Sequence, residues 1–155
     1  AATRQQAVEI FALLANARAG GSTQIGSDLF GLVQTLTRRG LAIVISDFFT
    51  ADDTAFELLR RLHAQRQEIL VFHLLSREEL ELPYTGEYIM EDAETGAEVV
   101  VNADAFREEY QRRVGAFCER VREECQKVEA DYHRVRTDEP LDRALLAYLE
   151  RRQHL

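Results

Sequence analysis

A chain of 155 residues, 46% hydrophobic and 30% charged, holds enough apolar material for one core and is too short for two comfortable domains. Its net charge of −8 and pI near 5.1, with basic residues scattered rather than striped, point away from nucleic acid as a partner. The longest apolar runs, 41–45 and 69–75 with His73 inside, fall far short of the ~20 residues of a membrane-spanning helix.

No apolar block of signal-peptide length opens the chain, and its single methionine is Met90. Ala1 is therefore expected not to be a translation start, and the chain to be a fragment of something longer. Cys118 and Cys125 sit seven apart on one predicted helix. Two turns separate them by roughly 10 Å, beyond disulfide reach, and free thiols make the cytoplasm the expected compartment.

In chain order, residues 2–19 are predicted as a helix with Val8, Ile10, Phe11, Leu14 and Ala15 on an apolar face, stopped by Gly20-Gly21. A second helix over 27–39 turns Leu29, Phe30, Leu32, Val33 and Leu36 inward, and Gly40 closes it. The β-branched run 41–48 reads as a strand buried on both faces. Asp52 and Asp53 offer capping oxygens to a third helix through about Gln65, with Phe56, Leu59 and Leu62 on one face. A second buried strand follows over 69–75. Helix, strand, helix, strand with short connections implies a parallel sheet.

The middle departs from this rhythm. One helical turn is predicted over 76–80 and a break at Leu82-Pro83-Tyr84. A small antiparallel hairpin (87–91, 97–101), turning at Ala93-Glu94-Thr95-Gly96, should project from the body. The long helix 103–129 carries the strongest periodicity, through Phe106, Tyr110, Val114, Phe117, Val121, Cys125 and Val128. A short strand over 131–136 precedes a last helix that begins near Pro140 and packs through Leu141, Leu145, Tyr148 and Leu149. The expected fold class is α/β: parallel strands 41–48, 69–75 and 131–136 flanked by helices, in one domain over 1–155.

The chemistry rests on two oxygen-bearing side chains. Ligands collect at the carboxyl ends of strands in an open α/β sheet, and Asp47 is at such an end. Thr23 belongs to the Gly-rich loop opening the helix before Asp47's strand. That helix runs antiparallel to the strand, so loop and strand end share one edge. A threonine hydroxyl and an aspartate are hard ligands suited to Mg²⁺ or Mn²⁺. The plainer roles are a capping hydroxyl for Thr23 and a turn-initiating carboxylate for Asp47. His73 reads as a satisfied core histidine, the cysteines as packed thiols, and Glu78, Glu79 and Glu81 as a solvated charge run. His63, His133 and His154 have no partners at zinc-ligand spacing. The hairpin acids Glu91, Asp92 and Glu94 read equally as a partner-docking surface or as solvent-facing decoration.

Gly20-Gly21-Ser22-Thr23-Gln24-Ile25-Gly26-Ser27-Asp28-Leu29 resembles the Gly-Gly-x-Thr-x-x-Gly-x-x-Leu loop of von Willebrand factor type A domains, and Ile43-Val44-Ile45-Ser46-Asp47 resembles their strand ending in aspartate. Glu81-Leu82-Pro83, the hairpin 88–99, and Glu139-Pro140-Leu141-Asp142 through Tyr148-Leu149 are similar to the bacterial domain-of-unknown-function family fifty-eight, whose members carry that core. The resemblance covers nearly the whole chain and the second half of the family's domain, so the fold expected from it is a truncated, Rossmann-like type A domain lacking its first strands. It implies a metal-ion-dependent adhesion site, with Thr23 as the second ligand element and Asp47 as the third. The first element, Asp-x-Ser-x-Ser, is absent: Ser22, Ser27, Ser46 and Ser76 form no such motif. The site is thus incomplete, no cation is expected to be held firmly by this chain, and Mg²⁺ or Mn²⁺ belongs to the intact protein.

The function so implied is a non-enzymatic protein-interaction module, with a MoxR-type AAA+ ATPase as the partner suggested by family company. The alternative is a Mg²⁺-dependent phosphoryl-transfer or hydrolytic enzyme using Asp47. Phosphatases of that kind place a second aspartate two residues on, where this chain has Phe49, and no Walker loop or Gly-x-Ser-x-Gly elbow is present. If the family's strand order holds, the strand 41–47 is left as an open edge, and the chain is expected to pair there with another copy.

Overall fold

The computed structural model describes residues 4–18, 27–49, 53–91 and 96–140. Its elements are α1 (Arg4–Asn16), α2 (Ser27–Gln34), β1 (Leu41–Ser46), α3 (Thr54–Ala64), β2 (Glu68–Leu75), α4 (Arg77–Glu81), β3 (Glu87–Glu91), β4 (Glu98–Asn102), α5 (Ala103–Lys127) and β5 (Asp131–Arg136). β1, β2 and β5 form a parallel sheet in the order β1-β2-β5, and β3 and β4 form a separate antiparallel hairpin. The fold is α/β, as the alternation of apolar runs implies. The expected last helix beyond Pro140, the Gly20–Gly26 loop with Thr23, Asp52, and the hairpin turn at 92–95 lie outside the described residues.

The sheet has two unlike faces. On one, Ile69 and Val71 of β2 meet Phe56, Leu59 and Leu62 of α3 and Val121, Cys125 and Val128 of α5, with Val33 of α2 at the margin. Burying these side chains drives the fold, and α5 contributes every fourth or third residue as its sequence spacing requires. On the other face Leu70, Phe72 and Val135 form a smaller cluster. Leu75, Val114 and Cys118 make a third, where α4 meets α5.

Several expectations need correction. β1 is not buried on both faces: its burial alternates, and Leu41, Ile43 and Ile45 are exposed. An edge strand lacks the neighbour that would shield it, and nothing among the described residues pairs with β1 beyond β2. The strand also stops at Ser46, because Phe48 takes a left-handed φ of 59° that no ladder accommodates. α2 ends at Gln34 rather than 39, and its Leu29 and Leu32 are exposed. α1 forms but buries none of its residues, so its apolar face is unpartnered among the described residues. Phe106, at the start of the α5 stripe, is likewise exposed.

Asp53 precedes α3 without capping it through its side chain. Its carboxylate instead takes a 2.6 Å bond from Arg120, whose guanidinium also lies 5.2 Å from the Phe56 ring centroid. Nor is the 78–81 stretch merely solvated charge. Glu79 closes a capping box with Ser76, and Glu81 pairs with Arg77 and Arg136.

Candidate functional site

Asp47 follows β1 at the carboxyl end of the sheet, where the chain leaves the ladder for α3. Three interactions shape the turn. The Phe48 amide donates to Ser46 Oγ at 3.0 Å, the Phe49 amide donates to Asp47 Oδ1 at 3.1 Å, and the Asp47 carbonyl oxygen lies 3.0 Å from His73 Nε2. A carbonyl only accepts, so Nε2 carries the proton. The other ring nitrogen, Nδ1, is 2.9 Å from Tyr132 Oη and in a neutral imidazole accepts the phenol's hydrogen. The chain Tyr132 to His73 to Asp47 therefore links β5, β2 and the end of β1, and both ring nitrogens of the buried His73 are satisfied.

The surroundings enforce this geometry. His73 is fully buried, edge-on to Phe48 at 5.5 Å and to Phe117 at 5.7 Å between centroids. Burial pushes its pKa below the ordinary 6.5, with the charge of Arg134 adding to the effect and the bond to the Asp47 carbonyl opposing it. Burial also pushes the Tyr132 phenol up to about 12, so it stays protonated as a donor. Phe48 is buried and stacks on Phe56 at 6.0 Å, while Phe49 stacks on Phe117 at 4.8 Å. A non-glycine residue at positive φ is strained, and this aromatic packing is what holds it there.

The result is an Asp47 side chain left at the surface with Oδ1 committed to its own turn and Oδ2 unpartnered among the described residues. One carboxylate is a single metal ligand. No group of three or more His, Cys, Asp or Glu side chains able to hold a metal occurs among the described residues, so they do not make a complete cation site. Thr23, the other ligand expected from the sequence, lies outside them. The plainer reading of Asp47 as a turn-forming carboxylate is satisfied by its bond to Phe49, and that role leaves Oδ2 available.

The two cysteines behave as packing groups. Cys118 and Cys125 are buried free thiols, and burial pushes Cys125 up to about 12, which removes it as a nucleophile. Sequence reasoning found His73 as a satisfied core residue but missed its link to the Asp47 carbonyl. The signal was present in the position of His73 near the end of the neighbouring strand, opposite Ser46. At the other rim a hollow of about 670 Å³ is lined by Arg38, Arg39 and Arg66 among others, so the amino end of β1 is basic, while the exposed Asp47 carboxylate follows its carboxyl end. No helix of the described residues is long and apolar enough to cross a membrane.

Known proteins give this chain a family without giving it a task. It is 35% identical over 80 residues to the uncharacterised protein Rv1480 of Mycobacterium tuberculosis, a match spanning 51% of this chain and 25% of that protein. An uncharacterised Mycobacterium bovis protein matches to the same extent. An uncharacterised Mycobacterium avium protein is 34% identical over 80 residues, 46% of its length. The chain thus spans less than half of the curated relatives it matches, and no solved structure matches it. The family model described as "Protein of unknown function DUF58" matches residues 2–119, well over half of the chain, and the protein belongs to that family.

Proposed function

We propose that this chain is a non-enzymatic protein-interaction module of the von Willebrand factor type A class, with Asp47 as its recognition group. The observation that carries the reading is the Asp47 carboxylate at the carboxyl rim of a parallel sheet. It is held outward by a buried imidazole and a strained, aromatic-packed turn, with one oxygen uncommitted among the described residues. Such rigidity in a connecting segment suits binding better than it suits mere chain reversal. The resemblance to type A domains implies that in an intact protein Thr23 and further ligands would join Asp47 around a divalent cation shared with an acidic side chain of a protein partner. A MoxR-type ATPase is the partner proposed on family company alone.

The test is paramagnetic. When Mn²⁺ is titrated into the ¹⁵N-labelled chain, the amides of 47–49 should broaden first, and Asp47→Asn should remove that selectivity. Broadening spread evenly over the acidic surface, unchanged in the variant, would contradict the proposal. A phosphatase and nucleotidase panel with Mg²⁺ should show no turnover; activity abolished by Asp47→Asn would favour an enzyme instead.

A further inference from the structure

The β3–β4 hairpin is fixed at its base and bare along its length. The Asp104 carboxylate accepts the Gly86 amide at 2.8 Å, and Asn102 accepts the Ala105 amide at 3.0 Å to cap α5. Arg107 donates to the Leu82 and Tyr84 carbonyls, and Leu82 itself is buried. Beyond this anchor every residue of β3 is exposed, and β3 pairs with no described strand except β4. A rigid element with an open side lowers the ordering cost of binding to it.

The backbone settles which residues the open edge of β3 offers. The Ala103 amide donates to the Gly86 carbonyl at 2.8 Å, one step beyond the Glu87–Asn102 pair. Hydrogen-bonded and non-hydrogen-bonded pairs alternate along an antiparallel ladder, so Tyr88 and Met90 turn their N–H and C=O groups toward β4. Glu87, Ile89 and Glu91 turn theirs outward. Side chains at these alternate positions share one face, with Asn102, Val100 and Glu98 opposite them. That face has an apolar centre, Ile89 and Val100 at 65% and 68% exposure, bounded by three carboxylates.

Charge decides the occupant. Glu91 directly opposes Glu98 in a non-hydrogen-bonded pair, where side chains come closest and like charges weaken a hairpin. None of Glu87, Glu91 and Glu98 meets a cation among the described residues, although Glu57, Glu81, Glu109, Glu119 and Glu124 all do. An arrangement that weakens the hairpin itself marks a surface shaped for a partner. A second copy of this chain, with the same acids and a net charge of −8, is repelled, as charged edges ordinarily ensure. A basic strand meets no such barrier, and main-chain bonding to an open edge is a recurring mode of peptide capture.

We propose that the outer edge of β3 docks an extended segment of a partner protein in which basic, apolar and basic residues occupy alternate positions. The basic residues lie against Glu87 and Glu91, the apolar one against Ile89, and the segment becomes a third strand of the hairpin. Neither Asp47 nor a cation takes part, so the inference stands apart from the function proposed above.

The test uses the full ¹⁵N-labelled chain in EDTA and the peptide Gly-Thr-Lys-Thr-Val-Thr-Lys-Thr-Gly. On titration the amides of Glu87, Ile89 and Glu91 should shift more than those of Tyr88 and Met90, because only the first set gains hydrogen bonds. Glu87→Gln with Glu91→Gln should weaken binding roughly tenfold, since two exposed ion pairs are lost together. Glu87→Lys with Glu91→Lys should instead accept the peptide that has Glu in place of both lysines. No shift up to millimolar peptide overturns the inference. Equal binding of Gly-Lys-Lys-Thr-Thr-Val-Thr-Thr-Gly overturns it as well, as does an affinity indifferent to both double variants. EDTA keeps this outcome independent of the Mn²⁺ titration, so either result stands if the other fails.

Discussion

At the scale of single residues, the outward carboxylate of Asp47 depends on side chains that never touch a ligand. Tyr132 donates to His73, His73 donates to the Asp47 carbonyl, and Phe48 pays a left-handed backbone for its place in the core. Tyr132→Phe leaves a buried imidazole nitrogen without its donor, which should cost about 1–3 kcal/mol, read from the urea midpoint. The pH dependence follows from the depressed pKa of His73. Above the ordinary histidine value of 6.5 the ring is neutral in both folded and unfolded chains. As pH falls below it, the unfolded chain gains a proton that the folded one resists, so stability is lost until the lower folded value is passed. Urea midpoints at pH 7.5 and 5 should therefore converge more closely in His73→Gln than in the native chain, where carboxylate titrations are common to both. Asp47 was legible in the sequence as the polar residue ending an apolar run. The left-handed turn at Phe48 was not, because no local signal marks an aromatic residue for positive φ; only the cage of Phe56, His73 and Phe117 makes it affordable.

At the scale of elements, the core and the exposed pieces should respond very differently to substitution. Leu59 is fully buried between sheet and helices, and Leu59→Ala should cost about 2–5 kcal/mol. Val100 lies exposed on the hairpin, and Val100→Thr should change stability by no more than about 0.5 kcal/mol; parallel urea titrations check both. The long period of α5, the two apolar runs and the hairpin were readable because each pattern extends over enough residues to outvote local exceptions. The burial of β1 was misread for a physical reason: a β-branched run says that a strand is built for company, and it does not say whether the company is present. α1 presents the same ambiguity, as its apolar spacing predicts a helix correctly but not what covers it. α2 ended at Gln34 although Leu36 beyond it still packs against the core, so the apolar spacing that predicted a longer helix marks burial there and not helix.

At the scale of the whole molecule, a three-stranded parallel sheet places a basic rim at the start of β1 and the Asp47 carboxylate just past its end, on a chain of net charge −8. That polarity supports the proposed recognition rim around Asp47. The proposed function requires Thr23 to converge with Asp47, since one carboxylate alone is a poor cation ligand. The most direct measurement is a ¹³C-edited NOESY spectrum of the labelled chain, read at the Thr23 methyl group. If the rim carries the site, that methyl shows cross-peaks to the amides of Asp47, Phe48 or Phe49. Cross-peaks confined to residues of the opposite rim, such as Arg38 and Arg66, would contradict it.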